Sequence, residues 1–222
     1  MTAELTAQLL ALFVSAFVTL FVVIDPPGCV PIFSSLTAGT SAAHRKAMAW
    51  RSILIAAGVL IGFAVGGEAF LGALGISLAA FKIAGGVMVF LIAIDMVFEK
   101  RTQRRESRAE EVKSAAAAAD KPLEAEDISV FPMAIPMLAG PGAIAAIMLL
   151  TARADTLAGE ITVLAALVAV LAITLASLLA AGPLMKLMGA KFEGALTRLL
   201  GVVLAALAAQ FVVDGIKMSF NL

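Results

Sequence analysis

The sequence predicts an all-α polytopic membrane protein: six transmembrane helices in two inverted three-helix repeats, with helices 1 and 4 broken at Pro-Gly. Three observations predict it. They are a composition too apolar for water, a series of uncharged runs of membrane-crossing length, and a constant offset that relates the two halves of the chain. Of 222 residues, 62% are hydrophobic and 14% charged, and the mean hydropathy is +1.05. Soluble chains run at about 45–50% apolar and about 25% charged. A chain this short encloses too little interior to hide that excess from water, so its solvent is lipid and a soluble enzyme is excluded. Net charge is zero, which gives no reason to expect nucleic acid as a partner. One cysteine and one histidine exclude a disulfide framework and the usual zinc constellations, so no metal site is expected.

A helix needs about 20 apolar residues to cross roughly 30 Å of hydrocarbon. Six stretches qualify, at about 8–36, 52–71, 79–98, 130–151, 161–183 and 197–216. The first joins the uncharged run Leu5–Ile24 to Gly28–Leu36. The second and third are divided at Gly72–Gly75. Ile128–Ala152 and Ile161–Met185 are each uncharged throughout, and the last span carries Arg198 at one end and Asp214 near the other. Residues 1–98 then form the first repeat, 99–127 a cytoplasmic linker and 128–222 the second repeat. The linker opens on Lys100, Arg101, Arg104 and Arg105, passes through the low-complexity Ala115–Ala119 and closes on Glu124, Glu126 and Asp127. Its charge run reads as a solvated face. With the N-terminus outside, thirteen Lys and Arg fall on inner segments and three (Lys82, Arg153 and Lys217) on outer ones. That bias places both termini outside the cytoplasm.

The repeat shows as an offset of 114 residues: Phe17, Pro27 and Gly28 fall on Phe131, Pro141 and Gly142, and Leu71 and Gly75 on Met185 and Gly189. With one residue of slippage, Gly86 and Asp95 fall on Gly201 and Gln210. Three spans per half is an odd number, so the second half enters the membrane from the opposite side. Inverted repeats with Pro/Gly-interrupted segments at matching positions point to a secondary transporter whose site lies at the breaks.

The candidate substrate-binding residues are therefore Asp25, Pro26, Pro27, Gly28 and Cys29 at the first break and Gly140, Pro141, Gly142 and Ala143 at the second. Each break starts a half-helix whose unpaired amides and positive dipole end suit a carboxylate. Asp25 reads as the N-cap of its half-helix, with Pro26 in the first turn, and as a ligand for a substrate ammonium or a coupling ion. The two roles are compatible. Asp95, Gln210 and Asp214 are candidates for gating or ion coupling. Gly85-Gly86, Gly58 and Gly62 read as close helix contacts, Cys29 as a small packing residue, and Glu68, Lys82, Trp50 and His44 as interfacial. No cofactor is expected; a coupling ion would be H+ or Na+. The partners expected are a small zwitterion and the lipid bilayer, and a homo-oligomer is left open.

The segments Ile24–Phe33, Gly85-Gly86…Phe90–Met96, Ala134–Ile144 and Arg198…Gly201…Ala208-Ala209-Gln210…Asp214-Gly215 resemble the MarC family of bacterial inner-membrane proteins. The resemblance covers the chain apart from 99–127. It implies a six-span inner-membrane protein similar to the SnatA-type transporters of small neutral amino acids such as alanine and glycine. Pro27 stands where many members carry another small residue, which would stiffen the break. The function expected is thus secondary active transport of a small neutral amino acid by alternating access. An exporter or channel of another small solute, or a membrane-integral accessory protein, is the alternative. An intramembrane aspartyl protease is disfavoured, because Asp25 precedes two prolines and Asp95 lacks a Gly-x-Gly lead. A reporter active only outside the cytoplasm should work at both termini and fail near residue 112; opposite activities at the two termini would mean that the spans are miscounted.

Overall fold

The computed structural model describes residues 2–98, 103–107, 109–111, 114, 127–154, 156–187 and 190–220. All the elements among these residues are helical. They are α1 (Thr2–Ile24), α2 (Pro26–Leu36), α3 (Ala42–Ala73), α4 (Leu78–Val97), the irregular α5 (Ser129–Leu138), α6 (Pro141–Thr151), α7 (Leu157–Leu179), α8 (Ala181–Leu187) and α9 (Ala190–Phe220). Five stretches are long and apolar enough to cross a membrane unaided: Glu4–Leu36, Ala42–Ala73, Leu78–Val97, Leu157–Leu179 and Thr197–Phe220. The pair α5–α6, bent by 52°, would be a sixth. Most of the linker, including Ala115–Ala119, Glu124 and Glu126, lies outside the described residues, as does Gly189.

Helix starts follow from local chemistry. Ser41, Ser77 and Thr156 cap α3, α4 and α7 by accepting a hydrogen bond from the amides of His44, Ala80 and Gly159. α3 begins ten residues before the uncharged run that marks its span, and α9 begins before Arg198. Charged turns that continue a helix out of the hydrocarbon carry no apolar signal. Buried hydroxyls turn back on their own helices: Ser52 donates to the Met48 carbonyl and Thr174 to that of Val170, both at 2.8 Å. In an apolar bundle this leaves no polar group unsatisfied at those positions.

α1 and α2 continue as one span across Asp25, whereas α5 is not a regular helix. Phe131 and Ile135 have extended backbone angles, and each precedes a proline in a cis linkage. A proline disfavours the helical region for the residue before it. At the start of α5 the Asp127 carboxylate accepts from both the amide and the hydroxyl of Ser129, and Arg51 of α3 lies 3.1 Å away. The Ser129 hydroxyl is the largest cause holding that carboxyl below its ordinary range; burial acts against it and Arg51 adds to it.

Among the described residues α4 and α9 make the most extensive helix–helix contact, and they run antiparallel. A Cβ on Gly86 would stand 2.8 Å from Val212 Cγ2 and 3.0 Å from the Ala208 carbonyl oxygen. A Cβ on Gly201 would stand 3.0 Å from both Val97 Cγ2 and the Ala93 carbonyl oxygen. The two glycines thus meet equivalent atoms on each other's helix, and small residues let the backbones approach this closely. Gly58 and Gly62, expected to make the same kind of contact, do not: a Cβ at either position would find no atom within 4 Å. They lie on an exposed face of α3, because the helix turns Ala56 and Leu60 inward instead. Gly86→Leu and Gly201→Leu should each cost about 1–3 kcal/mol through overpacking. Gly58→Leu and Gly62→Leu should stay within about 0.5 kcal/mol. Unfolding midpoints in detergent compare the four.

Candidate functional site

The first break is built on one strained residue. Asp25 sits at φ 59°, ψ 67°, the left-handed region. Aspartate tolerates that conformation better than most residues, at a cost of about 1–2 kcal/mol. Both carboxylate oxygens are engaged. Oδ1 accepts from the Gly28 amide at 3.2 Å, which makes Asp25 the N-cap of α2, with Pro26 in the first turn. Oδ2 accepts from Arg105 Nη1 at 2.9 Å, and Arg105 Nη2 donates to the Ile24 carbonyl at 3.4 Å. Asp25 is 2% exposed and Arg105 7%. Position 28 has to be glycine for this arrangement, since a Cβ there would stand 2.2 Å from Asp25 Oδ2. Cys29 is buried one turn into α2, its thiol 3.5 Å from the Ile24 carbonyl oxygen.

Arg105 corrects the reading of the linker's charge run as a solvated face. The arginine leaves water because a buried carboxylate awaits it, and an isolated charge in this interior would cost far more than a paired one. Its neighbour Arg104 pairs with Asp95, whose side chain is 20% exposed. Two consecutive arginines thus pair with two carboxylates of the bundle, Asp95 and Asp25.

The second break is open where the first is closed. α6 begins at Gly140, which brings no side chain to cap it, and Pro141 has no amide to donate. Among the described residues the amides of Gly142 and Ala143 have no hydrogen-bond acceptor. Both residues line a cavity of about 340 Å³ together with Gly140 and Pro141, with Val23, Ile92, Pro136 and Met137 as apolar walls and Asp95, Arg104 and Arg105 as its charged lining. A Cβ on Gly142 would stand 2.1 Å from Ile92 Cδ1, so glycine keeps the α6 terminus and the Ile92 wall in contact.

The structure thus gathers Gly140, Pro141, Gly142, Ala143 and Asp95 around one cavity and places Asp25 behind it, reached through Arg105. Pro26, Pro27, Gly28 and Cys29 do not line it. At α2 the two prolines have no amide, and Asp25 takes the amide of Gly28, so that terminus has no donor to spare within its first three residues. Gln210 and Asp214 lie at the opposite end of the bundle. There Gln210 Nε2 donates to Asp214 Oδ1 at 2.6 Å, Asp214 pairs with Arg153, and the Arg153 guanidinium lies 4.4 Å from the Phe211 ring centroid. Sequence reasoning missed Arg104 and Arg105; the signal available was that a membrane-buried aspartate needs a cation.

A family model described as MarC family integral membrane protein matches residues 10–220. The chain belongs to the MarC family. It is similar to a UPF0056 membrane protein of Methanocaldococcus jannaschii, 36% identical over 195 residues that cover 88% of this chain and 91% of the relative. It is also similar to the UPF0056 inner membrane protein YhgN of Escherichia coli K12, at 34% identity covering 89% and 92%. The UPF0056 membrane protein YvbG of Bacillus subtilis is 32% identical, covering 89% and 90%. No solved structure matches the chain. The MarC membership makes this an integral, multi-pass membrane protein.

Removing one member of a buried ion pair leaves the other uncompensated, at about 3–5 kcal/mol. Asp25→Asn, which keeps the cap, and Arg105→Gln should therefore each lower the unfolding midpoint in detergent. The double variant should lose clearly less than the sum of the two. Strict additivity would mean that the pair is not coupled in the folded protein.

Proposed function

We propose that this MarC-family protein is a secondary transporter that moves small neutral amino acids of alanine or glycine size by alternating access across the bacterial inner membrane. The observation that carries the proposal is the uncapped α6 terminus, whose first residues line a cavity that also has acidic and basic side chains in its lining. At about 340 Å³ the cavity lies at the small end of the range of roughly 300–1,000 Å³ for small-molecule sites. The substrate carboxylate docks on the amides of Gly142 and Ala143, where the helix dipole also favours it. The ammonium meets Asp95 or Asp25, displacing Arg104 or Arg105 from the carboxylate it now holds. Ile92 and Met137 bound the space left for the side chain. A coupling H+ or Na+ acts at the same carboxylates.

The linker end is the cytoplasmic end in this reading, and both termini lie outside. The cavity, lined there by Arg104 and Arg105, then belongs to the inward-facing state. The reciprocal contacts of Gly86 and Gly201 across α4–α9 support two inverted repeats of three spans each, with α5–α6 as the fourth span. Of the two half-helix termini, α6 grips the carboxylate, and the α2 terminus holds its own.

Counterflow of labelled alanine in proteoliposomes tests the proposal. Alanine and glycine should compete for the site, while alaninol, which lacks the carboxylate, and leucine, which is too large, should not. Gly142→Val should abolish competition through the crowding of Ile92, and Gly58→Val should leave it intact. Alaninol competing as well as alanine would exclude the α6 terminus as a carboxylate site, and conductance without saturable exchange would make the protein a channel.

A further inference from the structure

A second cavity, of about 510 Å³, opens at the linker end between α2–α3 and α7–α8. Its walls are mainly apolar, from Ala38, Leu178, Leu179 and Pro183, and its charged lining residues are Arg45 and Lys46. Neither forms an ion pair with a carboxylate among the described residues, whereas Arg51, Arg104, Arg105 and Arg153 all do. Arg45 instead donates to the Thr40 carbonyl at 2.9 Å, which holds its guanidinium beside the α2–α3 turn.

A third cavity, of about 90 Å³, lies at the opposite end and is built from equivalent positions. Ser34, Thr37, Ala38, Lys46, Leu178, Leu179 and Gly182 of the first correspond to Met148, Thr151, Ala152, Glu160, Ala64, Val65 and Glu68 of the second, each pair separated by 114 residues. The same notch thus occurs at both ends of the bundle with opposite charge. Lys46 has become Glu160, Gly182 has become Glu68, and Arg45 corresponds to Gly159. The architecture supplies the notch, and the sequence has made one copy cationic and the other acidic.

We propose that the linker-end notch is a binding site for the headgroup phosphate of an anionic phospholipid, held by Arg45 and Lys46, with the acyl chains leaving along the apolar wall of Leu178 and Leu179. The level in the membrane fits. Lys46 lies six residues, about 9 Å of helix, before Ser52, where the uncharged run of α3 begins. The cations therefore sit at headgroup depth, with their stems on apolar surface. Basic notches between transmembrane helices are a recurrent setting for anionic lipid headgroups. The acidic copy at the opposite end repels the same ligand.

The only tryptophan of the chain, Trp50, lies one turn after Lys46 on α3 and is 44% exposed, so it reports on this face. The full chain is reconstituted in vesicles of equal phosphatidylglycerol and phosphatidylcholine, with brominated chains on one lipid or the other, and quenching of Trp50 is recorded. Brominated phosphatidylglycerol should be favoured at the site at least fivefold, about the contribution of a single cation near a membrane surface. Arg45→Gln/Lys46→Gln should bring the ratio close to one, and Lys46→Gln alone, the milder change, should lower it. Inorganic phosphate in excess should leave the ratio unchanged. Equal quenching by the two lipids, a preference that survives in the double variant, or loss of the preference with inorganic phosphate would each overturn the proposal, the last by making this a site for free anions.

Discussion

The ion pair between Asp25 and Arg105 is the constraint around which the bundle is organised. A carboxylate in the middle of an apolar span is tolerated only with a counter-charge and donors. Asp25 obtains the counter-charge from a linker 80 residues away and a donor from Gly28 three residues on. That double engagement holds the residue in the left-handed region and lets α1 and α2 run on as one span despite two prolines. It also draws Arg105 into the bundle, where it and Arg104 line the cavity beside the α6 terminus.

The two breaks have become unlike. At the first, the aspartate satisfies the helix terminus that follows it. At the second, Ala139 stands in the corresponding place with no side-chain acceptor, and α6 starts at Gly140 without a side-chain cap, beside the cavity. One terminus is capped by the chain's own carboxylate and the other has no side-chain cap. The notches at the two ends show the same divergence, one basic and one acidic on equivalent positions. Differences of a few side chains at positions 114 residues apart distinguish the two breaks and the two notches.

Much of this was legible in the sequence, because hydrocarbon demands long uncharged runs and Pro-Gly pairs interrupt them visibly. The five long apolar spans, the interruptions at Asp25 and Gly140 and the capping role of Asp25 follow from such local rules. The bounds of α3 and α9 were less legible, since their charged turns lie beyond the apolar run. The partner of Asp25 was not legible: Arg105 sits in a run of charges that has the composition of a solvated loop, and its burial depends on contacts far away in sequence. Gly58 and Gly62 mislead for a related reason. Small residues permit close packing, but a sequence does not say whether a neighbour is there to use it.

Because Asp25 and Arg105 are both buried and bonded to each other, the pair should also keep water out of the first break. Cys29, the only thiol in the chain, is fully buried one turn beyond Asp25. The most direct measurement is its rate of alkylation by a water-soluble maleimide, in the wild-type protein and in Arg105→Gln, well below the unfolding midpoint of each. With the seal opened, Cys29 in Arg105→Gln should react at least tenfold faster than in the wild-type protein. Equal rates in the two folded proteins would contradict this and leave the pair with no part in excluding water from the break.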